Sequence, residues 1–102
     1  MTSFSKQQLL KYLGTLRGRG IMTIGDDQLN SCMISYEIDG YLERQIYSAN
    51  GQIKGSMVHL ARAFDAGAAR IFLSLGRSVE VVLADPKCSS AAEIMVQGRL
   101  PL

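Results

Sequence analysis

Residues 32–48 read CMISYEIDGYLERQIYS, and the pairing of this stretch decides the fold. Cys32, Ile34, Tyr36 and Ile38 alternate with Met33, Ser35, Glu37 and Asp39, the period-two pattern of a strand with one buried face. Asp39-Gly40 punctuates the run, and residues 41–48 read as the return strand of a hairpin. A two-residue turn at Asp39-Gly40 would set Tyr36 opposite Glu43 and Ile34 opposite Gln45, mixing apolar and polar groups on each face. A three-residue loop, Ile38-Asp39-Gly40, gathers Cys32, Ile34, Tyr36, Leu42 and Ile46 on one face. It also gives Gly40 the left-handed position that a type I turn with a bulge demands. The three-residue loop is preferred, because a slip of one residue reverses the buried set.

Upstream, Ser5 and Gln8 form a capping box that opens a helix over residues 6–17. Leu9, Leu13 and Leu16 supply its apolar stripe, and Gly18-Arg19-Gly20 stops it. Ile21–Ile24 reads as a short strand, and Gly25-Asp26-Asp27-Gln28 as a polar loop. Downstream, Asn50-Gly51 signals a turn. Ser56 caps a helix over 57–66, with Met57, Leu60, Ala61 and Phe64 as its stripe and Gly67 as its stop. Ile71, Leu73 and Leu75, then Val79, Val81 and Leu83, alternate on either side of Gly76 as a second hairpin, and Asp85-Pro86 ends it. Ser90 and Glu93 form another capping box, opening a helix over 91–97 that Gly98 ends.

These readings give a single α+β domain over residues 1–102. It has an antiparallel sheet of about five strands, built from two hairpins and packed with two to three helices, in the order α-β-β-β-α-β-β-α. In element order alone this is loosely similar to roadblock and profilin-like dimerising modules, though no motif residues carry the likeness. The size suits one domain. A 47% hydrophobic and 20% charged composition excludes disorder, and no apolar run approaches the ~18 residues of a spanning helix.

The chemistry is mostly negative. His59 is the only histidine, and Cys32 and Cys88 stand far apart with no CxxC, so neither a metal site nor a disulfide framework is expected. Cys32 reads as a small buried hydrophobe and Cys88 as a loop thiol, as suits a reducing cytoplasm. Residues 50–56, NGQIKGS, lead into a helix but lack a phosphate-loop spacing, and turn and cap chemistry explain them. Asp26-Asp27 lacks the pattern of a calcium loop, and no nucleophile elbow occurs. No catalytic residue, cofactor or metal ligand is expected, and the chain is read as a non-enzymatic, soluble, cytoplasmic protein with no membrane partner.

Two binding readings remain. The outer face of the first hairpin presents Met33, Glu37, Tyr41, Glu43 and Tyr47, where carboxylates frame Tyr and Met. Aromatics and Met are enriched at interfaces. The expected role is a protein-interaction or regulatory module that docks a sheet face or edge on a partner or on a second copy. The alternative is nucleic-acid contact through Lys6, Lys11, Arg17 and Arg19, because residues 1–20 carry four cations and no acid while residues 21–50 are net acidic. A sequence pI near 8.7 ranks this second.

Overall fold

The period-two pattern organises nearly the whole chain rather than two hairpins. The computed structural model describes residues 10–25 and 27–102. Six strands form: β1 (Leu10–Ile24), β2 (Asp27–Glu43), β3 (Ile46–Lys54), β4 (Ala69–Phe72), β5 (Ser78–Leu83) and β6 (Ala91–Gln97). One helix, α1 (Met57–Ala66), joins β3 to β4. Every neighbouring pair is antiparallel, and the order β1-β2-β3-β6-β5-β4 returns from β4 to β1 as a closed barrel. The α+β expectation is overturned, and with it the likeness in element order. A sheet with one greasy face can bury that face against helices or against itself, and this chain does the latter.

The expected helix over 6–17 is a strand wherever it is described, from Leu10 onward. Its Ser5–Gln8 cap and Leu9 lie outside the described residues. Gly14, inside that stretch, weighs against a helix by about 1 kcal/mol relative to Ala. As a strand, β1 finds partners along nearly the whole length of β2. Gly20 is required by closure. A Cβ there would lie 2.2 Å from the carbonyl oxygen of Phe72, because β4 crosses close at that point.

The first hairpin turns later than expected. Ile38-Asp39-Gly40 lies inside β2, and the turn is Arg44-Gln45, with φ of 50° and 68°. Two positive φ values in a two-residue loop are the hairpin conformation whose twist matches the strands. Glu43 pairs with Ile46 across it. Ile46, expected in the buried set, is exposed, whereas Ile38, expected in the loop, is completely buried. Asn50-Gly51 is not a turn but mid-strand in β3. A Cβ on Gly51 would lie 2.0 Å from the Glu37 carbonyl oxygen, so the glycine permits close approach of β2 and β3. Asp27 and Gln28, expected in a loop, belong to β2.

The third expected helix, over 91–97, is β6. Ala92, Ile94 and Val96 point into the barrel and Glu93, Met95 and Gln97 out of it, so lateral pairing with β3 and β5 outweighs the local capping signal. The helix over 57–66 is present and ends at Gly67 in the left-handed region. It buries Leu60 and Ala63, leaving Met57, Ala61 and Phe64 exposed. Ser56 occupies the cap position without a side-chain cap hydrogen bond. In the second hairpin Ile71, Leu73, Val79, Val81 and Leu83 are buried, and Leu75 lies exposed in the turn.

Inside the barrel, Met22, Ile38, Ile53, Ile71 and Val81 meet Leu60 of α1, and no charged side chain is buried among the described residues. The buried Tyr36 hydroxyl is satisfied by Ser74, exchanging a hydrogen bond with its Oγ at 2.9 Å and accepting one from its N–H at 3.1 Å. Among the described residues no helix is long and apolar enough to cross a membrane.

Candidate interaction surface

Strand register sorts the exposed side chains into rows. Moving outward along the outer face, the first row is Phe72–Ile21–Met33, three exposed apolar side chains on β4, β1 and β2. Arg19–Ser35–Lys54 comes next. Then follow Arg17–Glu37–Gln52–Glu93 and Thr15–Asp39–Asn50–Met95–Val82, each row crossing from β1 through β2 and β3 to β6, the second reaching β5. The last rows are Tyr12–Tyr41–Ser48 and Leu10–Glu43–Ile46.

The five expected partner-binding residues therefore do not share one patch. Met33 and Glu43 are ten residues apart on β2, roughly 33 Å at ~3.3 Å per residue. Met33 belongs to the apolar row at one end. Glu37 lies in the middle, in an ion pair with Arg17 across the β1–β2 ladder. Tyr41 and Glu43 lie at the other end, with the Tyr41 ring tilted against Tyr12 at 5.9 Å between centroids. Tyr47 pairs with Leu42 and so faces the inner side of the sheet, where the Arg99 guanidinium sits 4.2 Å from its ring centroid.

The middle two rows line a groove of about 690 Å³. Its walls carry Glu37, Asp39 and Glu93, the amides of Asn50 and Gln52, and the exposed apolar side chains of Val82 and Met95. Asp39 accepts a hydrogen bond from Thr15, whose hydroxyl also meets Tyr12, so the groove joins the aromatic row through a polar chain. The hydrogen bond and charge of Glu37 hold the Arg17 guanidinium above its already high ordinary value. The groove therefore presents carboxylates around apolar groups, with its bordering cation already engaged.

No family model matches this chain, and neither do any curated protein or solved structure.

Beyond the groove, β1, β2 and β3 continue as a three-stranded arm. β1 pairs with β4 only over Ile21–Thr23, and β3 pairs with β6 only from Ala49 onward. Leu10, Tyr12 and Ile46 are 52%, 57% and 69% exposed on the arm's outer face. On its inner face Leu100 is buried, and Leu100 and Leu102 pack close against Gly40. Sequence reading missed Leu10 and Tyr12, both placed in the first helix, and Met95, placed in the last helix. The signal for Met95 was available, since it alternates with buried Ile94 and Val96.

The basic residues of the alternative reading are dispersed. Lys6 lies outside the described residues. Arg17 is engaged by Glu37, Arg19 shares the outer face, and Lys11 pairs with Leu42 on the opposite face. His59 is half-buried on α1, with no hydrogen-bond partner for Nδ1 among the described residues. No group of three or more His, Cys, Asp and Glu side chains is placed to hold a metal ion among the described residues.

Proposed function

We propose that the chain is a non-enzymatic protein-interaction module that docks through the outer face and edge of β1, β2 and β3, with the neighbouring part of β6. The observation that carries this reading is the groove. Three carboxylates frame Val82 and Met95 on a sheet face that nothing else in the described chain covers. An extended partner segment alternating basic and apolar side chains complements it, the basic groups meeting Glu37, Asp39 and Glu93 while the apolar groups lie on Met95 and Val82. Two free thiols, with Cys88 exposed, suit a reducing compartment and support a cytoplasmic setting.

The test is a titration of the isotope-labelled chain with a synthetic peptide of alternating Lys and Val, followed by amide chemical shifts. The expected result is a perturbation centred on Glu37, Gln52, Glu93 and Met95 that weakens with added salt. Perturbations elsewhere, or equal ones from a Glu/Val peptide of the same length, refute the assignment.

A further inference from the structure

A closed barrel has no strand edges, yet β1 is longer than the closure uses. From Leu10 to Gly18 no strand lies beside β1 on the side away from β2, among the described residues. Every second residue of that stretch turns its backbone N–H and C=O toward an open edge, a template for another strand. We propose that two copies of the chain pair antiparallel along this edge about a two-fold axis, joining their arms into one continuous sheet. The proposal rests on the docking role above and names a second copy as the partner.

The distribution of charge over the two faces favours self-pairing. A bulge between Tyr12 and Gly14 shifts the alternation, so Leu10 and Tyr12 share the outer face with Thr15, Arg17 and Arg19. Lys11, opposite Leu42, lies on the inner face. A two-fold perpendicular to the sheet sets outer residues against outer and inner against inner. In the register that sets Tyr12 opposite Arg17, Lys11 meets Gly18 of the second copy rather than a cation. Tyr12 then meets Arg17 of the second copy, whose guanidinium can cover its exposed ring, and Leu10 meets Arg19.

The edge is also long enough. At ~3.3 Å per residue it runs about 30 Å, and strips about 10 Å deep on both faces bury on the order of 1,200 Å² over the two copies. That is the lower end of the range for specific interfaces.

Sedimentation velocity of the full chain across a micromolar concentration series, with amide hydrogen exchange at both ends of the series, tests the pairing. The expected result is a concentration-dependent dimer in which amides within residues 10–18 slow by about tenfold or more. Tyr12→Lys places a cation opposite an arginine and should leave a monomer with unchanged circular dichroism. Leu10→Lys, at an equally exposed position, serves if Tyr12→Lys does not fold. A wild-type chain that stays monomeric overturns the proposal, as does a dimer whose 10–18 amides exchange no more slowly, or one that Tyr12→Lys does not weaken. A monomer that still binds the Lys/Val peptide overturns the pairing alone, and one that does not bind it removes the docking role as well.

Discussion

Ile38 separates the barrel from a shorter hairpin most sharply. In the barrel it is fully buried in the middle of β2, between Leu16 of β1 and Gly51 of β3. In a hairpin turning at residues 38–40 it would sit in a loop. Ile38→Ala removes three carbons, and at about 0.8 kcal/mol per buried methylene the transfer loss is about 2.4 kcal/mol. If partial collapse leaves a void of about 50 Å³, the cavity adds about 1.2 kcal/mol at ~24 cal/mol per Å³. The expected destabilisation is therefore about 3.5 kcal/mol, a large share of the total for a domain of this size. With a urea m-value of about 1.5 kcal/mol/M, the unfolding midpoint falls by about 2 M. Leu75→Ala is the matched control, because Leu75 is 48% exposed in the turn after β4 and should cost about 1 kcal/mol or less. Urea unfolding followed by circular dichroism measures both. Equal losses, or a loss below about 1 kcal/mol for Ile38→Ala, would refute the placement of residue 38 inside a barrel.

Replacing Arg44-Gln45 by Asn-Gly should raise stability by about 1 kcal/mol, since both positions have positive φ and neither present residue favours it; a loss in the same urea experiment would move the turn elsewhere. Burial pushes the Cys32 thiol above its ordinary value, so under mildly alkaline conditions Cys88 should be alkylated first, as mass spectrometry of partly labelled protein can show. By the same linkage the folded chain keeps the Cys32 proton after the unfolded chain has released it. That contribution to stability is whole below the ordinary thiol range and is lost as pH rises through the raised value.

The parts legible in the sequence are those whose local pattern and tertiary role agree. The alternation from Cys32 to Ile38, the helix ended by Gly67 and the alternation across Gly76 all survive into the structure. The parts misread are those where a local signal competes with a distant partner. Ser90 and Glu93 look like a helix cap, but Glu93 is an outward strand residue paired with Gln52, forty-one positions earlier. Leu13 and Leu16 fall at helical spacing, but Leu13 is the unpaired residue of the β1 bulge and both are only half-buried. Arg44-Gln45 carries no turn chemistry, whereas Asp39-Gly40 and Asn50-Gly51 do, and their glycines serve close approach instead. Glu37, Tyr41 and Glu43 were legible as outward-facing, because facing follows from alternation. Their separation along β2, and the contribution of Met95 from β6, depend on pairings that no local window contains.

The order of strands around the barrel has a consequence for synthesis. β3 stands beside β6, yet α1, β4 and β5 intervene in the chain, so the seam between them closes only after β6 has left the ribosome. Until then the nascent β1–β2–β3 unit carries bare edges on both flanks, with Ile53 and Ile38 waiting for a lining that has not yet been translated. Pairing of β6 therefore covers the β3 flank and completes the lining, and weakened pairing in β6 would act chiefly through aggregation of unfinished molecules.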